Sequence, residues 1–371
     1  MGSTIHGTAT PHSRDILAYP GPDTPKVVTN INTPINTPHR RRSREPTPAD
    51  LPTRTSRSVT RCGCRTRLTV MKNHAQLRVP SDQVALTLFI ILITVLVACG
   101  PPLSGADPAA RIQEHASRLV ASGPYRPPST EERQAAVAGF GLLLKGAPEI
   151  ERATTALAPL GLTTTTGKDP GTGRRYILVE NEPDTVRAWG TVLIDLSVPP
   201  RLVIEVPHPK SDRRTEQLGV ELFRRVPGSV LLIAGAHRRA AHGIADVAHR
   251  EESLFHALAV AFAAHQLPQL QLHGFHNDSL EDTDVVISAG AGVAGKTARA
   301  IANNLDAGGL KTCRAWEQDC GNLEGKTNVQ GIAAAKTRSV FTHIEVNRTV
   351  REDRDKRATL VDRIASVVSI R

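Results

Sequence analysis

The sequence predicts an α/β fold, a mostly parallel mixed sheet with helices on both faces, occupying residues 151–371. Two observations predict it. After Pro207, short apolar runs alternate with segments of helical periodicity, and such alternation implies βαβ units around a largely parallel sheet. Before Pro207, from about residue 161, runs rich in β-branched residues are separated by turn signals.

Taken in order, helical patterns fall near 109–122 and 129–145, the second with Ser129 three residues ahead of Glu132, a capping-box signature. Strands follow at "LTTTT", then, beyond a turn at "KDPGTG", at "RRYILVE", "GTVLIDL" and "RLVIEV". A helix is expected over 215–226, a strand at 229–235, a helix at 251–265 and strands at 269–273 and 284–289. A helix at 296–306, a strand at 339–346 and a helix at 354–369 close the chain. In such a sheet, ligands sit beyond the carboxyl ends of the strands.

Charge is not spread evenly along the chain. Residues 1–83 hold 13 Lys/Arg against 5 Asp/Glu, a net of +8 out of the total of +10, and their Pro/Thr/Arg-rich stretch has no apolar periodicity. They read as a disordered basic leader, because such a segment cannot bury enough surface to offset chain entropy. The run Arg40, Arg41, Arg42, Arg44 lacks the aromatic interleaving of a nucleic-acid surface, so no nucleic-acid partner is expected.

Residues 84–98, "VALTLFIILITVLVA", are uncharged and almost wholly apolar, short for a spanning helix and right for a signal-peptide core. They run into Leu96, Val97, Ala98 and Cys99, which resembles the lipobox of bacterial lipoproteins, whose Cys is acylated and becomes the mature N-terminus. With translation starting at Met71, Lys72 and Arg78 supply the positive n-region, and residues 1–70 read as an over-long gene model. The expected organisation is a leader over 1–83, a signal core and lipobox over 84–99, a tether and helical segment over 100–150, and an α/β hydrolytic domain over 151–371. The location expected is extracytoplasmic, membrane-anchored through lipid on Cys99. Cys313 and Cys320, the two remaining cysteines beyond Cys99, are an expected disulfide in that oxidising setting.

Eight of the 14 histidines fall between residues 208 and 276, and their positions carry more than their number. His208 follows the strand "RLVIEV", Glu216 lies in the first turn of the next helix, His273 ends the strand "QLQL", and Glu345 lies near the end of "SVFTHIEV". All four belong to one edge of the predicted sheet. Two imidazoles and a carboxylate are the ligand set of a catalytic zinc that keeps a position open for water. A further carboxylate can then serve as general base and acid.

This order of residues, each after a strand, resembles the zinc-dependent amidohydrolase and carboxypeptidase-like superfamily, with its N-acetylmuramoyl-L-alanine amidases, zinc carboxypeptidases and N-formylglutamate amidohydrolases. The resemblance covers roughly residues 200–371. It implies a phosphorylase/hydrolase-like sheet, a zinc held by His208, Glu216 and His273, and Glu345 as the catalytic carboxylate. The eight-residue step from His208 to Glu216 departs from the family's spacings, so Asp212 stands as the alternative ligand. His237 and Arg238 in "AGAHRRAAH", His249 and Arg250, and Arg348 and Arg351 past Glu345 are cations near the same edge. Arg238 and Arg348 are the candidates to bind a substrate carboxylate.

A competing motif is GAGVAGKT at 290–297, which satisfies the phosphate-loop pattern and lies between a strand and a helix. No good apolar strand ending in Asp follows it, so a glycine-rich strand-to-helix turn beside the active crevice is the favoured reading. The stretch "TNVQG" with Cys313 and Cys320 reads as a disulfide-braced loop that walls the pocket. The function expected is therefore an extracytoplasmic zinc hydrolase cutting an amide bond in a cell-wall peptide, acylamino acid or short peptide. The rivals are a non-catalytic cell-envelope lipoprotein that binds cell-wall fragments and a P-loop nucleotide binder.

Overall fold

A computed structural model describes residues 107–369. The leader, the apolar segment 84–98 and Cys99 lie outside the described residues. Within them, no helix is long and apolar enough to cross a membrane.

Helix α1 (Pro108–Arg118) is opened by Asp107, whose carboxylate accepts the Ala109 N–H, and by Pro108 in the first turn. Helix α2 (Thr130–Leu143) carries the complete capping box: Ser129 accepts the Glu132 N–H and Glu132 accepts the Ser129 N–H. After α3 (Ile150–Leu157) come strands β1 (Thr163–Lys168), β2 (Arg175–Glu180), β3 (Gly190–Asp195) and β4 (Leu202–Val206). Then follow α4 (Thr215–Arg225), β5 (Ser229–Ala234), α5 (Leu254–Ala264), β6 (Gln269–Phe275), β7 (Val285–Ser288) and α6 (Lys296–Ala307). The described chain ends with β8 (Thr312–Arg314), α7 (Val329–Thr337), β9 (Phe341–Asn347), α8 (Arg348–Glu352) and α9 (Arg354–Val368).

The nine strands form one sheet in the order β1-β2-β3-β5-β4-β6-β9-β7-β8. The expected α/β class is present, with helices on both faces. Parallel pairing is concentrated in the centre, where β5, β4, β6 and β9 run side by side. The flanks β1-β2-β3 and the β7–β9 pair are antiparallel. The cause of the first flank is local: the short turn at "KDPGTG" leaves no room for a crossover, so β1 and β2 must form a hairpin.

Central strands are buried on both faces, which is why β3 and β5 read as unbroken apolar runs and not as alternations. One face packs Ile204, Leu231 and Ile233 against Phe223, Ile301, Leu360 and Ile364 from α4, α6 and α9, with Ile112 of α1 in the same core. The other packs Val203, Val230 and Leu232 against Phe140, Leu157, Phe255 and Phe262 from α2, α3 and α5. At ~25 cal/mol per Å² of apolar area, this double cover is the main force that aligns the strand ends.

Four short elements escape the sequence pattern: α3, β8, α7 and α8. The "TNVQG" loop of the sequence reading is in part helix, since α7 starts at Val329 and runs through "IAAAK", a strong helix-forming run. Cys313 in β8 and Cys320 form a disulfide, Cα atoms 6.1 Å apart, buried beside Phe275 and Val286. Replacing both cysteines by alanine should cost near or below the ~3 kcal/mol of a 15-residue loop, because the closed loop is smaller still. Denaturant unfolding of the double variant measures this; a loss well above that figure would mean that the bond does more than close a loop.

Candidate metal centre and active-site cleft

The four parallel strands end on one edge, and the residues that follow them converge there. Past β4, the chain turns tightly: Ser211 N–H donates to Pro209 O at 2.7 Å and Asp212 N–H to His208 O at 3.0 Å, with Lys210 at φ 68°. This turn folds Asp212 back over His208. Asp212 Oδ2 lies 3.2 Å from His208 Nδ1 and 3.3 Å from His273 Nδ1, and it accepts the Gly274 N–H at 3.3 Å. The two imidazoles meet edge to face, centroids 4.8 Å apart. One donor atom from each of His208, Asp212 and His273 lies within 4.8 Å of the other two.

Glu216 is not brought to this point. Helix α4 begins at Thr215, and Glu216 turns toward α1, beside Ala109, Ile112 and Gln113, where its Oε2 accepts the Lys210 N–H at 3.5 Å. The carboxylate between the histidines is Asp212, the alternative left open by the sequence. Four residues from His208 suffice because the left-handed Lys210 reverses the chain before any helix starts.

Each histidine is also held from behind. His208 Nε2 lies 2.7 Å from Asp246 Oδ1, and since a carboxylate only accepts, that nitrogen carries a proton. Asp246 is fixed in turn by Arg238 Nη2 at 2.7 Å. His273 Nε2 lies 3.1 Å from Gln271 Oε1. Both Nδ1 atoms are left facing Asp212 across the cleft floor. An imidazole bound to a metal almost always gives its other N–H to such an acceptor, so these residues fit a metal ion.

Charge at the site follows from burial and partners. Burial opposes ionisation of Asp212, but hydrogen bonds with His208 and His273 outweigh it and hold the carboxyl far below the usual range. Burial opposes a charge on His208 too, yet Asp212 and Asp246 raise its pKa above the ordinary value. In His273 burial wins and pulls the pKa down to about 4.

Glu345 stands opposite His273 in the β6–β9 register. Burial, with the Asp212 charge adding to it, pushes its carboxyl well above the ordinary value, and its Oε2 has no hydrogen-bond partner. His343, two residues earlier on the same face of β9, stacks on His273 with centroids 4.8 Å apart. His273, His343 and Glu345 form a second group of converging donors. The cleft above, of roughly 1000 Å³, is lined by His208, Asp212, Arg238, Arg239, His273 and Glu345, and by residues 321–328 behind the disulfide.

The remaining candidates divide. Arg238 lines the cleft, and its Nη1 comes within 3.3 Å of His208 Nδ1. Arg348 does not line it; its Nε donates to Glu352 Oε1 at 2.9 Å within α8. Arg351 is buried, donating to Val346 O, Phe275 O and Arg213 O, so it braces the ends of β6 and β9. His249 reaches the cleft wall beside Thr327 O, while His237 contacts Ser211 Oγ at 3.1 Å. GAGVAGKT forms the turn from β7 into α6 and lines a different cleft of roughly 650 Å³ with Arg338, Phe341 and Thr342.

Sequence reasoning passed over Asp246, Gln271, Asn328 and His343. The signal for Gln271 and His343 was present in the strand period: each lies two residues before a singled-out residue, on the same face. Asp246 and Asn328 sit in loops, where spacing gives no face.

No family model and no curated protein matches the sequence. Among solved structures, the chain is similar to a bacteriophage poly-gamma-glutamate hydrolase at 12% identity and TM-score 0.35, over 45% of this chain and 83% of that one. It is similar to the Legionella pneumophila LapA aminopeptidase at 10% identity and TM-score 0.33, over 83% and 79%. A metallo-carboxypeptidase from Pseudomonas aeruginosa matches at 14% identity and TM-score 0.28, over 66% and 69%. None of these likenesses bears on what this chain does, which rests on its own side chains.

Below the floor, Glu205 of β4 is wholly buried, and burial lifts its carboxyl to about 8 from the ordinary 4.5. Folded chains thus keep a proton that unfolded chains release. Glu205 favours the folded state most fully below about pH 4.5, and that contribution is lost as the pH rises toward 8. The loss runs at up to about 1.4 kcal/mol per pH unit. Glu205→Gln has no such proton. Its unfolding free energy relative to wild type should therefore climb from pH 5 to pH 8 and level off above; a difference that is flat across this range would refute the burial argument.

Proposed function

We propose that this chain is a zinc-dependent hydrolase that cleaves an amide bond in a cell-wall peptide, acylamino acid or short peptide. The observation that carries this reading is the meeting of His208, Asp212 and His273, with each imidazole Nε2 facing an oxygen acceptor behind it. His208, Asp212 and His273 would hold the ion. When bound, zinc supplies Lewis acidity, polarising the scissile carbonyl and acidifying water.

The chain's own residues do the rest. Glu345, whose ionised form a neighbouring cation favours, takes the proton from the attacking water and hands it to the leaving amine. Its free Oε2 and its place across from His273 support that role. Arg238 and Arg239 on the cleft wall give a substrate carboxylate its counter-charge. Export and anchoring belong to the same proposal and rest on the apolar core that leads into Cys99. Mass spectrometry of the mature N-terminus should find a lipidated Cys99, and an unmodified chain starting elsewhere would reject the anchor without touching the site.

The decisive experiment separates binding from rate. His208→Ala, His273→Ala and Asp212→Asn should each lose the metal by elemental analysis, whereas Glu216→Gln should retain it, because Glu216 faces α1. Glu345→Gln should keep its metal while turnover of a panel of acylamino acids and short peptides falls by roughly 10²- to 10⁴-fold. Lys296→Ala, at the other cleft, should stay within a few-fold of wild type. A wild-type protein that takes up no divalent metal, or a His208→Ala variant that keeps it, would end this reading.

A further inference from the structure

The second cleft, of roughly 650 Å³, lies where the glycine-rich turn from β7 into α6 meets the start of β9, and its charge is one-sided. Because β7 and β9 are antiparallel, with Ser288 opposite His343, the residues just past β7 come to lie beside Phe341 and Thr342. Lys296 and Arg338 line the cleft, and no Asp or Glu does. Neither cation has an ion-pair partner among the described residues. Helix α6 adds to this field, since it opens on Gly295 with no capping side chain and no acidic residue in its first turn. The positive end of its dipole is therefore uncompensated where its first residues line the cleft. Gly295 has φ −81°, and a Cβ there would meet nothing within 4 Å beyond its chain neighbours. The fold does not need glycine at that position, and the bare backbone leaves room for an anion against the helix end.

An independent observation comes from β9. Side chains alternate along the strand, so Thr342 points away from His343 and the first cleft, toward the face on which Ile344 and Val346 pack with Ala298 and Ile301 of α6. Thr342 is 0% exposed and lines the second cleft, and its Oγ1 has no hydrogen-bond partner. A buried hydroxyl left unpaired costs the empty fold stability, and an acceptor entering the cleft would satisfy it. We propose that the second cleft binds a phosphoryl group, its oxygens held by the N-terminus of α6, Lys296, Arg338 and the Thr342 hydroxyl.

GAGVAGKT thereby acquires a role outside amide cleavage, and nothing in that role depends on a metal in the first cleft. Two cations and a helix end suit a group with more than one negative charge, which a phosphoryl group carries and a lone carboxylate does not. With no carboxylate in the lining to help hold magnesium, the site binds the phosphoryl group without that ion and does not hydrolyse a nucleotide. Val293, 92% exposed, and Val340 give the rim an apolar edge on which the organic part of a phosphate ester can rest.

The test is calorimetric titration of the full chain, first treated with EDTA, with inorganic phosphate, pyrophosphate and ATP, each with and without magnesium. At least one should bind with a Kd below about 1 mM in the absence of magnesium. Tightest binding by inorganic phosphate or pyrophosphate would identify a site for the free anion, and tightest binding by ATP a site for a nucleotide; either supports the proposal. Lys296→Ala and Arg338→Ala should each weaken binding by roughly 10- to 100-fold, as loss of a charged hydrogen-bond donor does. Arg239→Ala, at the first cleft, should bind as wild type does. Thr342→Val keeps the shape and removes only the hydroxyl, so the ligand-free Tm should hold or rise while the rise in Tm on adding ligand shrinks. A purely structural Thr342 would instead lower the ligand-free Tm and leave that rise unchanged, which would strike it from the site. Failure of all three probes to bind wild type, wild-type affinity in Lys296→Ala, or binding that appears only with magnesium would overturn the proposal.

Discussion

Asp212 Oδ2 sits 3.2 Å from one imidazole nitrogen and 3.3 Å from another, in a place where all three side chains are buried or nearly so. A carboxylate in that setting keeps its charge only because both neighbours compensate it, since an isolated buried charge would neutralise instead. The tight turn after β4, the register of β4 against β6 and the Asp246–Arg238 pair all serve to keep this contact in place. Removing one member would leave the others as uncompensated buried polar groups, which is costlier than never having built the cluster.

The same logic runs down into the sheet. Parallel strands covered on both faces are expected to be apolar, yet β4, β6 and β9 carry Glu205, Gln269, Gln271, His273, Thr342 and His343 at near-zero exposure. Most of these are tied to one another or to backbone: Gln269 Nε2 donates to Ala259 O at 2.5 Å, and Gln271 joins Glu205, Gln330 and Asn328. A polar seam of this kind admits few arrangements, because flipping the Gln271 or Gln330 amide breaks at least two hydrogen bonds. That rigidity is what a site needs whose ligands must be held within a fraction of an ångström.

Long elements were legible in the sequence because their signals are local. The Ser129–Glu132 box, the apolar runs of β3, β4 and β5, and the periodicity of α4, α6 and α9 name their elements without reference to the rest of the fold. The edge location of His208, His273 and Glu345 was also legible, since strand ends define it. The choice between Asp212 and Glu216 was not. It depends on a left-handed Lys210, a backbone state that no lysine advertises, and on the start of α4 at Thr215. Antiparallel pairing of β9 with β7 was hidden for a similar reason, being set by a long connection and not by any strand's own pattern.

Two donor groups share His273, one with His208 and Asp212 and the other with His343 and Glu345, and physical chemistry favours the first for an ion. In the first, each imidazole Nε2 has an oxygen behind it, Asp246 Oδ1 for His208 and Gln271 Oε1 for His273, which orients the ring with Nδ1 toward Asp212. In the second, His343 Nδ1 and Glu345 Oε2 have no partner at all. Burial also pulls the His343 pKa well below the usual range and pushes that of Glu345 well above, so both rest in their neutral forms. A buried carboxyl that holds a proton and keeps Oε2 free of hydrogen bonds is a poor ligand and a good proton carrier, because its proton can leave and return without breaking a hydrogen bond. The lack of hydrogen bonds to Glu345 Oε2 and the bracing of His208 and His273 are thus two halves of one arrangement: the ion's ligands are tied in place, and the proton carrier's oxygen is left untied.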